Sequence, residues 1–240
     1  MTDTKDRRLR ERLRLAIPVR VRFRESVEFE WTEVTRCVDV TPFGASFGLS
    51  RPTEPGRLMH LTLPMPRQFR CFDHHEDQYR VWALVRSAKW GGGAEATGAA
   101  TDTLIVGVAL IGKHPPASYL QNPALRYEAA ERGGALVPLV AQSALNSDRE
   151  TRMRLPVEVV VEIVGEKGEV IAREETVTEN LSRRGAAIYT TLPIGPGRFV
   201  RLTSAREQLT IHAVVRARSE GAGGVARLHL EFVNRDWPLE

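Results

Sequence analysis

The chain has 240 residues, of which 42% are hydrophobic and 27% charged, with a formal net charge of +4. That length and balance suit one or two ordinary globular domains; no apolar run approaches the ~20 residues of a membrane helix, and the basic N-terminus lacks the apolar core of a secretory signal. Two cysteines, Cys37 and Cys71, neither in a C-x-x-C pair, argue against a disulfide framework or a zinc centre and for a reducing, cytoplasmic setting.

Taken in order, residues 1–14 form a basic arm without a sustained apolar period. Residues 7–24 hold eight arginines against Glu11 alone, a charge run that points to an anionic partner. Val19, Val21 and Phe23 then alternate with Arg20, Arg22 and Arg24, which predicts a half-buried antiparallel strand over 18–29. Further strands are expected at 35–40, 45–49, 57–63, 79–90 and 104–112, with a polar loop over 64–78 and a Gly/Ala/Thr hairpin tip at 91–101. His114-Pro115-Pro116 ends that sheet. Asn122 followed by Pro123 reads as a helix start, so 124–132 is expected to be helical within a connector over 121–147. Six more strands are expected at 155–164, 169–179, 186–191, 197–203, 209–219 and 225–233, with hairpin tips at 165–168 and 221–224.

The two halves repeat one another. Asp39-Val40-Thr41-Pro42-Phe43-Gly44 aligns with Asn180-Leu181-Ser182-Arg183-Arg184-Gly185. In the same register Pro52 meets Pro193, Pro55-Gly56-Arg57 meets Pro196-Gly197-Arg198, and Leu61 meets Leu202. After the loop at 64–78, Trp82–Arg86 aligns with His212–Arg216. Upstream, Ile17-Pro18-Val19 resembles Leu155-Pro156-Val157. A period of this kind marks duplication of a whole domain. Six short antiparallel strands per half close most naturally into a small barrel, which removes exposed sheet edges. The expected fold is therefore all-β: two six-stranded barrels at 15–120 and 148–240, joined by a partly helical linker.

Each repeated turn sits between two strands and offers an oxygen acceptor, a hydroxyl and a glycine at fixed offsets. Asp39 or Asn180 can accept from a base N–H, and Thr41 or Ser182 can serve phosphate or base. Gly44 and Gly185 would allow positive φ and close approach of a ligand. Guanidinium forks suit phosphate oxygens and the guanine edge, and they stack on bases. Arginines precede both turns: Arg8-x-x-x-Arg12, or in a competing register Arg10-x-x-x-Arg14, before the first, and Arg149, Arg152 and Arg154 before the second. Together these features predict a site for a small anionic nucleotide.

An Arg-x-x-x-Arg pair followed by [Asp/Asn]-x-Ser-x-x-Gly on a small barrel resembles the PilZ domain, a bacterial receptor for cyclic di-GMP. The resemblance implies a tandem, non-catalytic regulatory protein. Its ligand residues would be Arg8, Arg12, Asp39, Thr41 and Gly44 in the first half and Arg149, Arg152, Asn180, Ser182 and Gly185 in the second. The first half carries Thr41 for the family's serine; the second has its arginines three apart rather than four. Ligand binding would switch interdomain or partner contacts. Cyclic di-GMP and a protein are the expected partners; nucleic acid is disfavoured, because no aromatic stacking face is evident. The alternative is a PilZ-like interaction scaffold without nucleotide. Asp73–Asp77, with His74 and His75, reads as a solvated loop rather than a metal site. Ser182 has no nearby histidine in sequence and no nucleophile elbow, so no catalytic constellation is expected.

Overall fold

The computed structural model describes residues 16–91, 103–132, 135–141, 153–221 and 224–239. The basic arm, most of the tip at 91–101, and Arg149 and Arg152 fall outside the described residues.

The first half contains strands β1 (Pro18–Arg24), β2 (Glu30–Thr41), β3 (Gly44–Leu49), β4 (Leu58–Leu63), β5 (Tyr79–Gly91) and β6 (Thr103–Gly112). They close in the order β1-β2-β3-β6-β5-β4, every neighbour antiparallel. Helix α1 (Ala117–Gln121) and a hairpin of β7 (Tyr127–Arg132) and β8 (Ala135–Val140) follow. The second half closes β9 (Glu158–Val164), β10 (Val170–Ser182), β11 (Gly185–Thr190), β12 (Phe199–Ser204), β13 (Leu209–Glu220) and β14 (Ala226–Phe232) into an equivalent barrel. Strand alternation fills each interior: Val19, Val21, Phe23, Trp31, Phe47 and Leu61 in the first, Val159, Val161, Ile188, Leu202 and Leu228 in the second.

The structure corrects the expectation of a helix over 124–132. The Asn122 side chain accepts from the Ala124 N–H in a local turn, and the chain then runs extended as β7. Tertiary packing decides this. Tyr127 is buried against the cluster of Leu58, Trp82, Leu84 and Tyr119, and its N–H donates to Gly56 O at 2.7 Å. The helix that forms lies earlier, at α1, and carries Tyr119 into the same cluster.

The upstream repeat register also shifts. Val21 pairs with Leu61, and Val161 pairs with Leu202. Since Leu61 and Leu202 correspond, Val21 corresponds to Val161 rather than to Val159. A slip of two residues leaves every side chain on the same face, so alternation alone does not fix it.

The barrels share a buried joint built from the repeated Pro-Gly-Arg turns. Gly56 N–H donates to Val85 O, and Gly197 N–H to Val215 O, both at 2.8 Å. Both glycines are at positive φ, 91° and 88°. The arginines that follow point into the joint. Arg57, fully buried, donates to the carbonyls of Arg24 and Glu25 and lies 5.0 Å over the Phe23 ring. Arg198 binds Glu25 at 3.0 Å. Phe199 and Val214 of the second barrel belong to the core of the first. Arg51 reaches Gly165 O, Arg216 clamps Glu54, and Trp90 stacks on His212 with ring centroids 4.9 Å apart.

Candidate ligand site at the repeated turns

Both turns have the same construction. β2 meets β3 through Asp39–Ser46, Val40–Ala45 and Thr41–Gly44, and β10 meets β11 through Asn180–Ala187, Leu181–Ala186 and Ser182–Gly185. A bulge sits immediately before each acceptor, between Cys37 and Asp39 and between Thr178 and Asn180. Bulges re-aim the side chains that follow them.

The hydroxyls hold the turns closed. Thr41 donates to Gly44 O and Ser182 to Gly185 O, each at 3.2 Å. Ser182 is buried, at 4% exposure. Neither glycine uses the positive φ open to it. Their need for glycine comes from the neighbouring strand. A Cβ on Gly44 would stand 2.5 Å from Val108 O, and one on Gly185 would stand 2.4 Å from Leu230 O. The side chain is missing because a backbone passes there.

The acceptors differ. Asp39 is half-buried, and the Cys37 thiol is pushed up to about 11 by burial and by the Asp39 charge. Asn180 is also half-buried, but its Oδ1 is occluded from solvent and has no hydrogen-bond partner among the described residues. Beside it the backbone of Met153 exchanges two hydrogen bonds with Leu181, each of 2.9 Å. The segment that follows Arg149 and Arg152 is thus zipped onto the turn between Asn180 and Ser182.

The two surroundings also carry different charge. The second turn exposes Arg183 and Arg184, where the first has Pro42 and a half-exposed Phe43. Next to Asn180, Arg227 binds Glu179 at 2.6 Å and Tyr189 donates to the same carboxylate at 3.3 Å. The Arg227 hydrogen bond leads the interactions that hold the Glu179 carboxyl below its ordinary value, with Arg154 contributing charge. The predicted residues Asn180, Ser182 and Gly185 therefore come together, as do Asp39, Thr41 and Gly44. The motif reading missed Met153, Glu179, Tyr189 and Arg227. The β10–β11–β14 pairing that assembles the last three has no signature in local sequence.

The loop at 64–78 has its own organiser. The Arg70 guanidinium donates to the carbonyls of Met65, Asp73, Glu76 and Asp77, and Asp73 binds Lys113 at 3.2 Å. No group of three or more His, Cys, Asp or Glu able to hold a metal occurs among the described residues. No helix there is long and apolar enough to cross a membrane.

Residues 147–236 match the PilZ domain family. A search of curated proteins returned no match. Several solved structures are similar in outline. The Bacillus subtilis inhibitor of motility MotI/DgrA is 11% identical, with 93% of this chain and 90% of that one covered at a TM-score of 0.30. PlzA of Borreliella burgdorferi, solved with c-di-GMP, is 10% identical over 93% and 84%, also at 0.30. MrkH of K. pneumonia, as its c-di-GMP complex, is 12% identical over 90% and 78%, at 0.29. The second barrel of this chain is a PilZ domain, and the first barrel repeats its closed strand order and its turn.

Proposed function

We propose that the chain is a cyclic di-GMP-binding regulatory protein that works without catalysis and holds its ligand on the second barrel. The supporting observation is the Asn180 Oδ1, occluded and without a partner among the described residues, beside the Met153–Leu181 pairing. A buried acceptor left without a donor costs about 1–3 kcal/mol, so the site gains when a ligand N–H arrives. The amino edge of guanine is such a donor. Arg149 and Arg152 lie four residues and one residue before Met153 in sequence, and with Arg154, Arg183 and Arg184 they supply guanidinium groups for phosphate oxygens.

In the first barrel, Arg8, Arg12, Asp39, Thr41 and Gly44 form the corresponding set. There the turn offers Pro42-Phe43 in place of two arginines, and Asp39 adds negative charge. Nucleotide binding is accordingly weaker in that barrel. The joint between the barrels is buried and ion-paired. Ligand binding therefore switches partner contacts at the arginine lead, not by swinging one barrel against the other. The scaffold alternative draws on one observation: Thr41 and Ser182 already have a structural task in closing their turns.

Calorimetric titration of the full chain with cyclic di-GMP, with GTP as control, tests this. Saturable binding that Asn180→Ala removes and Asp39→Ala leaves intact is the expected result. Absence of heat and of any shift in melting temperature at high ligand would overturn it in favour of the scaffold.

A further inference from the structure

One face of the first barrel carries a charge pattern that the fold does not require. In the β1, β4 and β5 register, Arg22 lies beside His60 and His60 beside Trp82. One row over, Arg20 lies beside Thr62 and Thr62 beside Arg80. On the β2 side, Arg20 neighbours Val34 and Pro18 neighbours Arg36. Strand alternation sends Val19, Val21 and Val81 into the core and leaves Arg20, Arg22, Arg36 and Arg80 exposed outside. None of these four forms an ion pair among the described residues; the nearest pair on the face is Arg24 with Glu30. The second barrel serves as an internal control. At the corresponding positions it has Val160, Glu162, Val177 and Thr210, in the same pairings. Four arginines are therefore not needed to build this sheet.

At one end of the face, where β1 begins and β4 ends, is a cavity of about 230 Å³ walled by Pro18, Arg20, Val34, Leu63 and Pro64, with Thr62 and Gln78 beside them. Val34 is 66% exposed at its rim. An apolar recess with Arg20 in its wall, and with Arg36 and Arg80 paired beside Pro18 and Thr62 of that wall, is the form of a protein-binding hot spot. A sugar–phosphate backbone would engage the arginines but has nothing to place in the recess. Trp82, the aromatic ring on this face, is only 9% exposed and packs edge-on to His60 and Tyr119, so it offers no plane to a base.

We propose that this face docks an acidic segment of a partner protein, with one apolar side chain of the segment seated in the Pro18–Val34–Leu63–Pro64 recess. The site is separate from the repeated turns and does not depend on nucleotide binding.

The test titrates the full chain, ¹⁵N-labelled, with three probes followed by NMR: a short Glu/Asp peptide with a central leucine, the same peptide with serine there, and a short DNA duplex. The leucine peptide should move the amide resonances of residues 18–22, 34–36, 60–64 and 80. Serine at the centre should weaken binding about tenfold or more, as expected for loss of a seated anchor. Combining Arg20→Glu with Arg80→Glu should abolish binding while the melting temperature stays unchanged, since both side chains are exposed and form no ion pair among the described residues. Equal affinity for the two peptides, tighter binding of the duplex at this face, or no shifts with any probe would each overturn the proposal. So would shifts that appear on concentrating the protein alone, which would assign the face to a second copy of the chain.

Discussion

Replacing Glu25 with alanine should do more damage than any other single truncation of an acidic residue in this chain. Glu25 is fully buried at the joint between the barrels. Its carboxylate accepts from Trp31 Nε1 at 3.1 Å, from Arg51 at 3.3 Å, from Arg198 at 3.0 Å and from the Phe199 N–H at 3.0 Å. Arg51 and Arg198 are themselves 5% and 8% exposed. Removing the anion strands two buried cations and a backbone donor, a loss of about 3–5 kcal/mol. For a chain of this size that lowers the melting temperature by roughly 6–20 °C. Scanning calorimetry and urea unfolding measure both quantities. The joint also couples the barrels, since Phe199 and Val214 complete the core of the first. The single wild-type transition should therefore separate into two in the variant. Adding Arg198→Met to Glu25→Ala should recover part of the loss, because it removes one of the stranded charges. A loss below about 1 kcal/mol for Glu25→Ala, or a double variant weaker than the single one by the full Arg198 contribution, would refute the account.

Three other outcomes follow from the same geometry. Gly185→Ala and Gly44→Ala should each destabilise by about 1–3 kcal/mol in urea unfolding, since the new methyl meets the Leu230 or Val108 carbonyl and the facing strand must shift. Burial alone would raise the Glu54 carboxyl, but the hydrogen bonds and charge of Arg216, with Arg57 and Arg126, hold it below its ordinary 4.5. A depressed carboxyl contributes stability that is present above 4.5 and lost as pH falls through its lower folded value. The urea midpoint should thus drop on acidification below 4.5, and Glu54→Gln should flatten that part of the profile. Asn180→Ala should leave the melting temperature within about 2 °C, because no hydrogen bond to its Oδ1 is lost, while calorimetric binding of cyclic di-GMP is weakened at least about tenfold.

Most of the fold was legible because antiparallel strands advertise themselves. Alternation located all twelve barrel strands, and the Pro-Gly-Arg repeats revealed the duplication because each holds a positive-φ glycine in a turn that pairs with Val85 or Val215. The failures have specific causes. Asn122-Pro123 carries the local chemistry of a helix start, but burial of Tyr127 against Trp82 and Tyr119 outweighs it. The upstream alignment slipped by two residues because a strand with period two is indifferent to that slip. The charged joint was invisible: Glu25 and Arg198 are 173 positions apart, and nothing near either one marks it for burial. Of the residues read into the turns, Asp39, Thr41 and Gly44 gather, as do Asn180, Ser182 and Gly185, while Arg8, Arg12, Arg149 and Arg152 lie outside the described residues; the glycines serve a close backbone passage and not a positive φ.

That last point decides which substitutions can report on ligand binding. Within the second turn, Ser182 closes the loop on Gly185 O, and Gly185 makes room for Leu230. Both residues have a complete explanation in folding, so replacing either one would lower affinity through the barrel even if neither touched a ligand. Loss of binding in such variants distinguishes nothing. Asn180 is different. Its Oδ1 is occluded and has no partner among the described residues, so folding leaves it a cost where it leaves the other two a benefit. A residue that a structure carries at a cost is where function is separable from stability. Asn180→Asp keeps an oxygen acceptor there and should retain more affinity than Asn180→Ala, while its occluded charge lowers the melting temperature. If both variants bind as the wild type does, the turn is a structural device and the scaffold reading stands.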